Sequence, residues 1–505
     1  MHHTDNSNTK DRPVVIRRAS IPGAGTGAMT QQDVLIIDGK IVEIANTGLS
    51  APEGSIELCA QGQAVLPGFS NAHTHSHFAF GRGFGDLWTL ETHLNSGGGI
   101  SYGATLDDMS LAAKLGAADM IRNGCTAAYD MVVQSPVTSP DGMHAVASGY
   151  QAAGIKAVVA ATVTDQTFWA SVPGLIGALS PEEAEWIRTI TLAAPDTHLE
   201  GLRRTLESWT FDTDKIKLGL APSVPLLCSD TLLESVANLA RDFGVPMQTH
   251  LAESKVQSAL SQRRWGKSLT EHLASIGFFE GRVSAAHAIW LNDSDIRILA
   301  EKGVAVAHNP ASNMRLGNGI APISAMIKAG VSVGLGTDAC SCADQQNMID
   351  AMRLASYASR TRGPDPEHWL SAEQVFDMAT QGSADLLGLP NTGRLAVGKC
   401  ADLVFIDLAD IAYLPLNNFW NQLVFSESGR GVKRVMVDGQ VIYEEGRFTL
   451  FDYDDLRERV NDTAERLKDT AQERRARFKN LESVVSLFCV GLAQTPFEPD
   501  QYVQG

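Results

Sequence analysis

The sequence predicts an α/β protein: a (β/α)8 TIM barrel carrying a small composite β-sandwich built from both chain ends. Three observations predict it. Residues 67–394 alternate strand-like and helix-like runs, the pattern of a parallel sheet covered by helices. Both flanks read instead as short β segments, each with an Asp-Gly turn (Asp38-Gly39 and Asp438-Gly439), a strong hairpin signal. Four of the central apolar runs end in a His or Asp where a loop begins, the end at which such a barrel keeps its chemistry.

In chain order, residues 1–66 supply the first part of the sandwich, with strands expected at 14–17, 33–37 and 41–44. The barrel occupies 67–394 and draws on eight candidate strands: 64–72, 125–131, 154–163, 215–221, 245–250, 283–288, 303–308 and 331–337. Helices fit between them, for example over 111–123, 230–243, 265–276 and 320–329. Residues 395–450 return to β character at 402–406, 432–437 and 441–443, completing the sandwich. A charged helical extension fills 451–505, with a helix from 453 to about 479 and an unassigned stretch beyond. A doubly wound open sheet would satisfy the same alternation, but it would not gather strands one, five, six and eight around one point.

Composition narrows the function. With 505 residues, 44% hydrophobic and 20% charged, the chain can bury a large core. A net charge of −17 argues against nucleic acid or an anionic membrane as partner. Seven scattered Cys without a Cys-x-x-Cys pair disfavour a disulfide framework and suit a reducing compartment. The N-terminal stretch 1–12 is polar and lacks a hydrophobic signal core, and no run is long and apolar enough to cross a bilayer, so a cytoplasmic protein is expected.

The chemistry is carried by the strand ends. His73 and His75 form a His-x-His pair whose side chains point to one side, because strand side chains repeat every two residues. His250, His287 and Asp338 each close another apolar run, and in a closed barrel all five converge. Such a set suits a divalent cation with a position left open for water. Glu253 follows His250 by three residues, placed to act on that water without binding the metal; alternatively it merely begins the next helix, where a carboxylate suits the positive end of the dipole.

The ordered set Pro-Gly-Phe-x-Asn-x-His-x-His (67–75), His-x-x-Glu (250–253), a lone strand-end His287, His-Asn-Pro-x-Ser-Asn (308–313) and Gly-Thr-Asp (336–338) resembles the amidohydrolase superfamily. More narrowly, it is similar to the branch holding triazine hydrolases, guanine deaminase and S-adenosylhomocysteine deaminase, over about residues 30–450. The resemblance implies one zinc or iron ion per chain, zinc being preferred, with His73, His75, His250 and Asp338 as ligands. Glu253, His287 and Asp338 are then the catalytic groups. Binuclear relatives use a carboxylated lysine on the fourth strand; here Lys215 and Lys217 sit early in that strand and none at its C-terminal end, which favours one metal. Related deaminases often carry Pro-His-Ala-Pro after it, whereas this chain has Pro222-Ser223-Val224-Pro225, which leaves the ring identity open.

The expected function is therefore a hydrolase acting on carbon–nitrogen bonds other than peptide bonds. It is a metal-dependent aminohydrolase in which activated hydroxide, generated at a pKa of about 7 in comparable zinc sites, displaces an amino group from a purine, pterin, pyrimidine or triazine ring. Glu253 shuttles the protons. The alternatives are displacement of chloride or alkylamine from a triazine-like ring, cyclic amide hydrolysis, and a silent scaffold. Partners are the heterocyclic substrate and water, with a homodimer or higher homo-oligomer expected. Arg82, Trp88, His308 and Asn313 are candidate substrate contacts, although the turn-rich surroundings of His308 favour shaping of the pocket wall. His77 and His93, like the remaining histidines, read as ordinary, and Cys340 and Cys342 as pocket lining.

Overall fold

A computed structural model describes residues 12–502; the polar start of the chain, with His2 and His3, lies outside them. Five strands come first: β1 (Val14–Pro22), β2 (Met29–Ile37), β3 (Lys40–Asn46), β4 (Ile56–Cys59) and β5 (Gln63–Pro67). The barrel follows with β6 (Phe69–Thr74), β7 (Cys125–Val133), β8 (Lys156–Val163), β9 (Ile216–Pro222), β10 (Met247–Leu251), β11 (Val283–His287), β12 (Ala305–His308) and β13 (Val333–Leu335). Last come β14 (Leu403–Asp407), β15 (Val432–Val437), β16 (Gln440–Glu444) and β17 (Arg447–Phe448).

β6 to β13 pair in sequence order, every pair parallel. The seam between the first and last strands is closed by backbone: Asp338 N–H donates to the His73 carbonyl at 2.9 Å, and a parallel bridge joins Thr74 to Asp338. Gln346 stitches the same seam, its Oε1 accepting from Thr74 at 2.8 Å and Thr337 at 2.6 Å while its amide donates to the Asp338 carbonyl at 2.8 Å. At Gly336 the chain passes so close to Asn309 that a Cβ would lie 2.2 Å from Asn309 Oδ1.

The chain ends build one nine-stranded sheet, in the order β17-β16-β15-β14-β5-β1-β2-β3 with β4 on β1. A register shift in β1 between Ile16 and Ala19, with Arg18 at φ 55°, lets that strand serve two neighbours, β4 early and β5 late. The sheet encloses its own core, in which Val14, Ile16, Val34 and Ile41 meet Leu403, Phe405 and Met436 from the other end of the chain. Both Asp-Gly turns form with left-handed backbone, as a tight hairpin turn requires.

Three elements differ from the sequence expectation. The apolar run 64–72 is two strands, β5 in the sheet and β6 in the barrel. Gly68 sits at the switch, where a Cβ would lie 2.2 Å from Thr126 Cγ2. The helix expected over 265–276 is shorter, Leu269–Ser275 starting from the Ser268/Glu271 capping box, while Trp265 instead ends a preceding helix, Lys255–Trp265, stopped at left-handed Gly266. The C-terminal helix does not stop near 479: Tyr453–Thr470 is followed by Gln472–Ala493, whose buried Phe478, Leu481, Val485 and Cys489 join Leu226, Val256 and Leu260 in a second apolar cluster. Among the described residues no helix is long and apolar enough to cross a membrane.

Candidate active site

The five strand-end residues meet at the C-terminal mouth of the barrel. His73 Nε2 lies 3.6 Å and His75 Nε2 3.5 Å from Asp338 Oδ1, and the Nε2 atoms of His75 and His250 are 3.2 Å apart. His287 Nε2 stands 3.7 Å from Asp338 Oδ2 and 3.6 Å from Glu253 Oε2. All are buried. The backbone bends sharply to present them: Ala252, His287, Ala288 and Asp338 all have positive φ, each costing about 1–3 kcal/mol that the surrounding packing must offset.

The outward nitrogens decide the tautomers. His75 Nδ1 faces the Met131 carbonyl and His250 Nδ1 the Ser223 carbonyl, both at 2.8 Å; a carbonyl only accepts, so each Nδ1 carries the hydrogen. His73 Nδ1 contacts Gln248 Oε1 at 2.7 Å, and the Gln248 amide is fixed by donating to the Ala72 carbonyl and Ser284 Oγ. Each Nε2 lone pair is thereby turned inward, and His73 Nε2 is buried with no partner of its own. Three inward imidazole nitrogens beside a carboxylate fit a divalent cation. Lys217, in the early part of β9, donates to the Gly388 carbonyl at 2.6 Å and takes no part.

The electrostatics suit that occupant. Burial would raise the Asp338 pKa, but the surrounding imidazoles, His73 and His287 foremost, hold it well below the carboxylate range. Burial, with His75 and His287 close by, pushes His250 down to about 3, keeping it neutral. Glu253 goes the other way: burial first, then the charges of Asp338 and Glu91, raise its pKa well above the ordinary value. Its Oε1 accepts from Asn318 Nδ2 at 3.1 Å, while Oε2 faces His287. His287 is oriented in turn by Asn313 Oδ1 at 2.8 Å from its Nδ1.

His75, His250, Glu253, His287 and Asp338 line a cavity of about 120 Å³ together with His77, His93 and Cys342. The remaining sequence candidates do not line it. Arg82 pairs with Asp119, not with the cavity. Trp88 packs into the apolar cluster of Leu90 and Leu316. Asn313 reaches the site only through His287, and His308 lines a separate cavity with Ile320 and Arg362. Sequence reading passed over Gln248, set His77 and His93 aside as ordinary, and passed over Asn318. The first two continue the two-residue alternation of His250 and His75, a usable signal; the other two, in a short helix and a loop, give none.

The chain matches the Amidohydrolase family over residues 64–442. It is 31% identical over 463 residues to the 5-methylthioadenosine/S-adenosylhomocysteine deaminase of Syntrophomonas wolfei, covering 88% of this chain and 97% of that protein. To the 5'-deoxyadenosine deaminase of Methanosarcina mazei it is 30% identical over 470 residues, covering 90% and 98%. Among solved structures it is similar to atrazine chlorohydrolase from Arthrobacter aurescens TC1 complexed with zinc (TM-score 0.78, 25% identity, covering 89% and 100%). It is also similar to an adenosine deaminase from Xanthomonas campestris with bound zinc (TM-score 0.76, 25% identity, covering 90% and 98%). The motif order, the barrel and the match over most of its length agree: the chain belongs to the amidohydrolase family.

Proposed function

We propose that the protein is a zinc-dependent aminohydrolase that removes the amino group of an adenine-like nitrogen heterocycle as ammonia. The observation that carries this reading is Glu253, a buried carboxyl with a raised pKa that faces the cavity beside the histidine cluster. His73, His75, His250 and Asp338 hold the cation, which supplies Lewis-acid activation of a water nucleophile near neutral pH. Glu253, whose burial favours its protonated form, gives a proton to the ring nitrogen next to the amino-bearing carbon, making that carbon more electrophilic. Asp338 Oδ2, beside His287 Nε2, accepts the proton of the attacking water. Glu253, now ionised, takes the hydroxyl proton from the attacked carbon and relays it to the amine, because neutral ammonia leaves far more readily than an amide ion; the proton held by Asp338 then restores Glu253. His287, fixed by Asn313, keeps the Glu253 oxygen turned toward the ring.

The deaminases of similar sequence support this leaving group. A second reading, displacement of chloride or alkylamine, is favoured by the likeness to atrazine chlorohydrolase. Ammonia assayed on a panel of aminated purines, pyrimidines and triazines tests the proposal; chloride or alkylamine release without ammonia from any compound overturns it. A cytoplasmic setting, supported by seven unpaired cysteines, and homo-oligomeric assembly complete the reading.

A further inference from the structure

Two histidines of the cavity wall each carry a ring nitrogen that nothing else in the molecule uses. His77 and His93 both line the cavity; His77 Nε2 and His93 Nδ1 are buried and without a hydrogen-bond partner. A buried polar atom left unpaired is costly, and such atoms gathered on one wall point to a ligand that satisfies them. The Val133 N–H reaches His77 Nδ1 at 3.5 Å; a backbone N–H only donates, so His77 keeps its own hydrogen on Nε2 and offers a donor. His93 stays neutral, burial pushing it down to about 4, and accepts or donates according to tautomer. Phe78 stands between them, its ring centroid 4.1 Å from that of His77 and 5.3 Å from that of His93.

The cavity also lacks something. Among the described residues lining it there is no Lys or Arg, while Glu253 and Asp338 are both present. Arg315, next to the lining residue Leu316, is committed to Asp344 Oδ2 at 2.6 Å and to the carbonyls of Gly85 and Phe84. A carboxylate or phosphate carried on the part of the substrate remote from the metal would therefore find no Lys or Arg partner in the cavity wall. The roof is braced against opening for one. Helix Leu90–Ser96, which carries His93, is tied to the C-terminal helix by Asn95 Nδ2 donating to the Phe478 carbonyl at 3.1 Å and by Ser96 Oγ donating to Glu482 at 2.9 Å. At about 120 Å³ the space is smaller than the ~300–1,000 Å³ of typical ligand pockets.

We infer that His77 and His93 are specificity-determining residues that hold the polar edge of an uncharged aminated ring, and that carboxylate- or phosphate-bearing analogues are excluded. This rests on the deaminase reading for the leaving group but not for the charge of the ligand. The S-adenosylhomocysteine named for one relative carries such a carboxylate; 5-methylthioadenosine does not.

The test compares the zinc-loaded full chain with its His77→Phe, His93→Phe and His93→Gln variants on adenine, adenosine, 5'-methylthioadenosine, S-adenosylhomocysteine and adenosine 5'-phosphate. Ammonia release is measured, with calorimetric binding to Glu253→Gln protein in parallel. The expected result is kcat/KM lower by about 100-fold or more for the two charged compounds. Each Phe variant should raise KM for the best uncharged compound by about tenfold, with metal content unchanged and His93→Gln recovering most of the loss. Equal turnover or binding of charged and uncharged compounds overturns the inference, as do Phe variants with unchanged KM and affinity. If uncharged rings bind through His77 and His93 but no ammonia appears, the deaminase reading fails and the inference stands.

Discussion

Asn318 Nδ2 donates to Glu253 Oε1 at 3.1 Å, and the carbonyl of the same asparagine accepts from Trp290 Nε1 at 2.7 Å. One carboxyl oxygen is thus held by the loop between β12 and β13, leaving the other to face His287 and the cavity.

Replacing Glu253 by Gln preserves size and the contact to Asn318 but removes the transferable proton. We expect kcat to fall by about 100-fold or more with zinc content and melting temperature little changed. An unchanged rate would remove Glu253 from the proton relay.

Asn318→Ala frees the carboxyl. The expected outcome is a kcat reduced by about tenfold at similar KM, together with a modest loss of stability of about 1–3 kcal/mol from the unpaired buried groups. A variant losing stability alone, with kcat intact, would show that Asn318 only packs the loop.

The loop itself is strapped down by the C-terminal segment. Ile320 N–H donates to the Gln501 carbonyl at 2.9 Å, Gln501 Oε1 accepts from Arg362 at 2.7 Å, and Phe497 and Tyr502 pack edge-on against Trp290. Deleting residues 497–505 should lower kcat by about tenfold through misplacement of Asn318, with metal content unaffected. Full activity in the truncated chain would sever the strap from catalysis.

Chelation should abolish activity and lower the melting temperature, both restored by about one equivalent of zinc, since a ligand that binds only the folded state stabilises it by mass action. Activity persisting in protein with far less than one ion per chain would contradict the metal centre.

Away from the site, Lys156 Nζ lies 2.7 Å from both Asp402 Oδ2 and Asp438 Oδ1, joining the barrel to the sheet. Burial lowers its pKa, but the two aspartates more than offset this and raise it above the ordinary 10.5. A raised folded pKa stabilises fully below the unfolded value and the contribution fades as pH climbs through the folded one. Lys156→Met should therefore cost about 3–5 kcal/mol at neutral pH by leaving the buried Asp402 carboxylate without its counter-ion, and the gap to wild type should shrink only in strong alkali. Denaturant titrations of both proteins across pH check this; a gap that widens with pH would contradict it.

Periodicity and chain order alone specified eight strands, the helices between them and the convergence of His73, His75, His250, His287 and Asp338, because a closed parallel barrel must bring every strand's C-terminal end to one mouth. Local composition could not tell that 64–72 crosses from one sheet to another: Pro67-Gly68 can bend a single strand as well as separate two, and only tertiary contacts such as the close approach of Thr126 at Gly68 decide it. Nor could it rank His93 above other histidines, or see that Gln346 seals the barrel and Gln501 braces the loop that carries Asn318. Those roles depend on which side chains, distant in sequence, lose water together and must then find partners in one another, and only the folded chain decides that.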